Sequence, residues 1–338
     1  MSTDRASTDS VPRLTRRRVA ALGCGIGLLA TGGWLVRPPP VTASAGWEPR
    51  ASLPEARGEM KATALDGHVY VPGGLYGFGS STDRVDVYDP VADAWSTVAP
   101  LPVGLNHHAT AATADTLYVV GGNESFGDSP GTFGFAYDPE TDTWSEIAPL
   151  PDGRWGHEAV VIEDQVYVLG GVPRDDDEID TLRYDPTADE WSRGAPIPTR
   201  REHVAAAVVD GEAIVVAGRW EGSLTDRVDA YDPAADSWSE LPSVPTARSG
   251  FGATVVDGRL HAVGGEDPQT IGGWTSAAHE VYDPDSNRWS RDAALPLAVH
   301  GNTVVAVDGD VVVVGGAWRQ GLWSITSWSD RTFVYDRP

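Results

Sequence analysis

The sequence predicts an all-β ring built from one small sheet repeated six times. Three observations predict it. A tryptophan recurs at almost fixed spacing, at Trp47, Trp95, Trp144, Trp191, Trp238 and Trp289. A Tyr-Asp-Pro precedes each later tryptophan, at Tyr88, Tyr137, Tyr184, Tyr231 and Tyr282, and Tyr335-Asp336 stands as a sixth copy near the C-terminus. A diglycine recurs in phase with both, at Gly73-Gly74, Gly121-Gly122, Gly170-Gly171, Gly264-Gly265 and Gly315-Gly316, with Ala217-Gly218 as the degenerate copy. A period of this length marks a repeat architecture, in which no unit buries its apolar surface alone.

Each unit reads as four strands, as residues 201–238 illustrate. Residues 204–209 form a continuous apolar run, expected of a strand buried on both faces. Asp210-Gly211 closes a tight hairpin, because glycine accepts positive φ without steric cost. Residues 214–217 form a second apolar strand, and residues 227–231 alternate as a third strand should. Asp232-Pro233 ends the pairing, since proline donates no backbone hydrogen bond, and Trp238 opens an outer fourth strand. The hairpin turn recurs at Asp66-Gly67, Asp257-Gly258 and Asp308-Gly309, with Asp115-Thr116 and Asp164-Gln165 as variants.

Four antiparallel strands in each of six repeats make a six-bladed β-propeller. Diglycine, Tyr-Asp-Pro and tryptophan in this order resemble the kelch repeat, and the resemblance covers residues 46–338. The repeat begins on an outer strand at Trp47 and ends on a third strand at Tyr335. The N-terminal strand is therefore expected to complete the last blade and close the ring, removing the unpaired edges of an open array.

Residues 1–45 read as a leader rather than as fold. Arg16-Arg17-Arg18 precedes an apolar run, and Ala43-Ser44-Ala45 offers a small-residue cleavage site. The paired arginines resemble a twin-arginine export signal, which implies an extracellular or cell-surface protein; an uncleaved membrane anchor is the alternative. The only cysteine, Cys24, lies in this segment, so residues 46–338 hold no disulfide and no thiol.

The charge is extreme. Residues 1–45 carry 6 basic and 2 acidic side chains, and the remainder carries 19 and 47, a net of −28. Lys61 is the sole lysine. Such a field repels nucleic acid and anionic lipid surfaces, and it resembles the composition of proteins from salt-loving archaea, where salt screens the self-repulsion.

Strand parity places the inter-blade loops and the post-diglycine loops on one face, longer and more varied than the other, where binding residues concentrate. Arg57, Arg154, Arg201 and Arg248 recur at the start of the inner strand and are expected to form a cationic ring at the channel mouth. Arg219, Trp220, Trp274, Trp318, Arg319 and Trp323 occupy the loops after the diglycines. Aromatics beside arginine suit sugars, whose apolar faces stack while hydroxyls or carboxylates take the guanidinium. His108, His157 and His203 read as one register in three successive blades. A metal there is not expected, because packed sheets lie roughly 10 Å apart and ligands to one ion must converge. Asn123-Glu124-Ser125 is a glycosylation sequon expected on an exposed loop.

Two functions follow. The first is a monomeric binding protein without cofactor or metal, which recognises a glycan, peptide or cell-envelope protein and inserts no more than its N-terminus into a membrane. The second is a carbohydrate-active enzyme: the resemblance extends to exported single-domain kelch rings that are sialic-acid mutarotases. Glu221 with Arg219, or Glu202 with Arg201, would supply the acid/base pair. A copper radical oxidase of the galactose oxidase type is excluded, since that chemistry needs a cysteine cross-linked to tyrosine.

Overall fold

In the computed structural model, residues 39–125, 127–174, 178–266 and 275–336 are described. The expected leader lies almost wholly outside them. Among the described residues the chain forms six four-stranded antiparallel sheets. The first holds Thr63–Leu65, His68–Pro72, Val85–Asp89 and Ala94–Val98, and the next four follow in chain order over residues 109–146, 154–196, 205–241 and 252–291. The sixth joins Thr303–Val307, Asp310–Val314 and Thr332–Tyr335 to Trp47–Arg50 from the other end of the repeat region. Trp47 lies opposite Tyr335 and Arg50 opposite Thr332. Innermost strands neighbour one another in a cycle, from 63–65 through 109–112, 154–162, 205–209, 252–256 and 303–307 back to 63–65. The one helical element among the described residues is a short 3-10 turn, Gly321–Thr326. No helix among them is long and apolar enough to cross a membrane.

The hairpins follow from their turn residues. Asp66-Gly67, Asp210-Gly211, Asp257-Gly258 and Asp308-Gly309 all have positive φ at both positions, the backbone that matches strand twist in a two-residue loop. In the third sheet the left-handed pair is Glu163-Asp164, one residue earlier than the expected Asp164-Gln165.

The core lies between sheets, in six clusters that join each sheet to the next. Val311, Val312, Val313 and Val314 show how one strand serves two of them. Val311 and Val313 pack with Val256 and Val263 of the fifth sheet, and Val312 and Val314 with Val69 and Val71 of the first. Successive side chains point to opposite faces, so a strand enclosed on both sides is apolar at every position.

The recurrent polar residues clamp neighbouring sheets together. Tyr88 Oη and the Ala51 amide each donate to Asp93 Oδ1 at 2.8 Å, while Trp95 Nε1 donates to the Ala51 carbonyl at 2.8 Å. Both backbone groups of Ala51 are thus held by the adjoining sheet. The arrangement repeats with Asp142 and Trp144 on Ala99, Asp189 and Trp191 on Ala148, and Asp236 and Trp238 on Ala195. Trp289 reaches the Pro242 carbonyl, and Trp47 reaches the Ala293 carbonyl at 2.8 Å. The clamp carboxyls sit in left-handed backbone, which Asp and Asn tolerate better than most residues.

Removing residues 47–54 takes away a whole strand and one clamp acceptor. The truncated chain is expected to unfold at lower guanidinium concentration and with a shallower transition; an unchanged curve would show that this strand is dispensable. The backbone amides and tyrosine hydroxyls on Asp93, Asp142, Asp189 and Asp236 hold these carboxyls below their usual range. Their contribution to stability is complete above the unfolded value of about 3.9 and disappears as pH falls through the lower folded value. In the fifth sheet an asparagine already fills this place, and Asn287 accepts the Tyr282 hydroxyl at 2.8 Å. Asp142→Asn with Asp189→Asn should therefore keep the clamp and flatten stability against pH below about 4.

Candidate functional site

Six residues with left-handed backbone surround the axis: Glu59, His107, Gly156, His203, Gly250 and Gly301. Five lie just ahead of an innermost strand, and Gly156 lies within one, Arg154–Ile162. Their amides form a closed circuit. His107 donates to the Glu59 carbonyl, Gly156 to His107, His203 to Gly156, Gly250 to His203, Gly301 to Gly250 and Glu59 to Gly301, all between 2.6 and 2.9 Å. Glycine occupies this conformation freely. Glu59 (φ +51°), His107 (+52°) and His203 (+49°) do not, and residues held there against preference cluster at functional sites.

The circuit turns three side chains to one point. His107 Nε2 lies 3.5 Å and His203 Nε2 3.7 Å from Glu59 Oε2. A second layer stands over them. Glu202, Ser249 and His300, each one residue before a circuit position, pair by a backbone bridge with Arg219, Glu266 and Ala317, the residues after the glycine turns. The bridges bring Arg219 and Glu266 over the axis. Arg219 Nε donates to Glu202 Oε1 at 2.6 Å, and its Nη1 reaches Glu266. Trp155 stands edge-on to the rings of His107 and His203, with centroids 5.5 Å away. A cavity of about 20 Å³ lies beside the circuit, lined by Glu59, His107 and His203 together with Met60, His108 and Phe251.

Three carboxylates here face one guanidinium. Burial pushes the His107 and His203 imidazoles below their ordinary values, His203 furthest, with Arg219 reinforcing it. Burial pushes Glu59 upward, but His107, His300, Arg219 and Lys61 outweigh it and hold that carboxyl below its usual range.

A family model described as the KLHDC2/KLHL20/DRC7 Kelch-repeats domain matches residues 43–171 and 108–316. The chain belongs to the kelch-repeat family. Kelch-like protein 25 of Homo sapiens is 40% identical over 77 residues, which is 23% of this chain and 13% of that protein. Beta-scruin of Limulus polyphemus is 34% identical over 76 residues, 22% of this chain and 8% of its own length. The chain thus spans about an eighth or less of these curated relatives. Among solved structures, that of YjhT superposes with a TM-score of 0.69 at 19% identity, over 84% of this chain and 96% of that one, a likeness of fold.

The kelch scaffold absorbs several residues expected at the mouth. Arg57, Arg154, Arg201 and Arg248 are fully buried and form no cationic ring. Each runs into its own sheet: Arg57 to Asp86, Arg201 to Asp229, and Arg248 to Glu280 at 3.0 Å. Arg154 instead donates to backbone carbonyls, that of Asp180 at 2.6 Å. The diglycine makes room for the stems: a Cβ on Gly265 would stand 3.2 Å from Arg248 Cδ. Burial pushes Arg154, Arg201 and Arg248 down to about 10, so they stay cationic at neutral pH.

Of the described loop residues expected at the mouth, Arg219 alone reaches the axial cluster with its side chain. Trp220 is half-buried beneath Arg200, and Trp318 is buried in the sixth sheet's core with the Arg319 guanidinium 4.7 Å above its ring. Trp323 is 67% exposed. Trp274 lies outside the described residues. The sequon residue Asn123 is buried in a backbone bridge with Asn106, where a glycan has no room. Glu202 partners Arg219 rather than Arg201, and Glu221 is exposed on the turn beyond.

The histidine register also needs correction. His203 aligns with His107, whereas His108 and His157 lie one residue further along their strands, where burial pushes both down to about 3. The signal is legible in retrospect. The scaffold arginines set the phase, and two residues beyond Arg57, Arg154, Arg201 and Arg248 come Glu59, Gly156, His203 and Gly250.

Arg248→Met leaves the buried Glu280 carboxylate with only the exposed Arg291 guanidinium, 3.6 Å away, and should cost about 3–5 kcal/mol. Arg154→Met strands backbone carbonyls and loses only a long contact to the partly exposed Asp152, 4.0 Å away, and should cost less, about 1–3 kcal/mol. Equilibrium denaturation of the two variants ranks them, and the reverse order would contradict these pairings.

Proposed function

We propose that the chain is an exported kelch interaction protein: a six-bladed ring, latched by its N-terminal strand, whose loop-rich face grips a glycan, peptide or cell-envelope partner. The observation that carries this reading is a pair of exposed aromatics on touching loops. Phe78 is 86% and Trp323 67% exposed. Their loops meet where Trp328 Nε1 donates to the Gly77 carbonyl at 2.9 Å and where Ile325 packs near Gly79. Large aromatics exposed on a supported rim mark contact surfaces, because they offer broad apolar area at little conformational cost. The strongly acidic surface favours a neutral or basic partner and disfavours nucleic acid.

Glycan and peptide arrays probed in high salt test this. Trp323→Ala and Phe78→Ala should each weaken the strongest binding on the order of tenfold or more. Binding indifferent to both substitutions overturns the reading.

A second reading rests on the axial cluster, where Glu202 and Glu266 bracket Arg219 beside His203 and His300. These are the group types that acid/base catalysis on a sugar requires. Nuclear magnetic resonance of anomer exchange tests it, and no acceleration with sialic acid removes it.

A further inference from the structure

We propose that Glu59, His107 and His203 bind one divalent metal ion of the zinc type on the ring axis. Three protein ligands of His, His and carboxylate type leave a fourth position for water or a ligand oxygen. Nitrogen and carboxylate donors together select zinc and its neighbours over magnesium or calcium.

Geometry comes first. The three ligand atoms lie within 4.8 Å of one another, and two of the separations are 3.5 and 3.7 Å. Tetrahedral zinc, with bonds of 2.0–2.1 Å, sets its ligand atoms roughly 3.3 Å apart. The expectation from sheet spacing concerned His108, His157 and His203; Glu59, His107 and His203 are a different set, and they precede their strands. They turn inward to the axis, where six sheets converge instead of standing face to face.

The outer nitrogens are already engaged. His107 Nδ1 meets the Asn106 side-chain oxygen, and Asn106 is itself fixed by its amide on Ser81 Oγ at 2.6 Å and on the Asn123 carbonyl at 2.9 Å. His203 Nδ1 meets the Glu202 carboxylate. An acceptor on Nδ1 places the proton there and leaves Nε2 as the donor to a metal, the arrangement that orients most metal-binding imidazoles.

His300 borders the same site. It is 3% exposed, its Nε2–H donates to the Arg319 carbonyl at 2.7 Å, and its Nδ1 faces Glu266 Oε1 at 3.2 Å and Glu59 Oε1 at 3.6 Å. Arg219 Nη2 lies over the His203 ring, 3.4 Å from both nitrogens, with its charge matched by Glu202 and Glu266. Room is provided by the three circuit glycines. A Cβ at Gly301 would stand 2.7 Å from Glu59 Oε1.

The test uses the whole chain, stripped with a chelator and then titrated with zinc and, separately, with cobalt(II). Equilibrium dialysis with elemental analysis should find one zinc per chain, and cobalt should give the intense visible bands of a four-coordinate site. Glu59→Gln and His203→Asn should weaken binding more than 100-fold; asparagine tolerates the left-handed backbone at 203. Should either fail to fold by circular dichroism, Asn106→Ala and Glu202→Gln report on the same site and should weaken it about 10–100-fold. A chain that takes up no stoichiometric zinc overturns the proposal. So does zinc that binds equally well to the folded variants, since it would then reside on other histidines. Neither rim aromatic is a ligand of the site, so loss of partner binding in Trp323→Ala leaves this result untouched.

Discussion

A sheet that is apolar on both faces cannot end a stack. Each of the four valines at 311–314 belongs to one of two inter-sheet cores, and the same holds around the molecule. Exposing either side would return a row of buried side chains to water, at about 1.5–3 kcal/mol for each valine or leucine. The arrangement that leaves no sheet at an end is a cycle. The pairing of Trp47–Arg50 with Thr332–Tyr335 follows from that constraint, because it completes a sheet that residues 303–335 leave one strand short.

Around this apolar frame, polar groups set the angles. The tryptophans are amphipathic pegs: each ring lies against a tyrosine of its own sheet while its N–H crosses to the next. Spacing alone made their recurrence visible, and the hairpins were legible because glycine and aspartate are chemically tied to left-handed turns. The arginines misled for an equally physical reason. A long cation at a strand start reads as surface, and only the third dimension reveals that a diglycine opposite leaves a slot for its stem. The carboxylates that meet them, Asp86, Asp229 and Glu280, lie in a third strand that alternates apolar and polar residues without marking its buried acids.

The axial cluster was the least legible part. Glu59, His107 and His203 are separated by 48 and 96 residues and share no motif. What unites them is a backbone conformation at one equivalent position, and that conformation depends on hydrogen bonds from neighbouring sheets. Pattern reading found histidines in three repeats but took His108 and His157, one residue out of phase. A shift of that size moves a side chain from the axis into the body of the ring.

The amide circuit has a wider consequence for how such a protein changes over generations. It depends on main-chain groups alone, so the side chain at each place is limited by the left-handed turn and by the space around it. Gly250 is in that sense the vacant seat at a six-place table, since a Cβ there would meet no atom closer than 3.6 Å, whereas at Gly301 it would stand 2.7 Å from Glu59 Oε1. Filling Gly250 with asparagine, aspartate or histidine would alter the chemistry at the hub while leaving the apolar frame alone, and each seat is encoded far from the others. A lineage can therefore explore new axial ligands one codon at a time without rebuilding its walls.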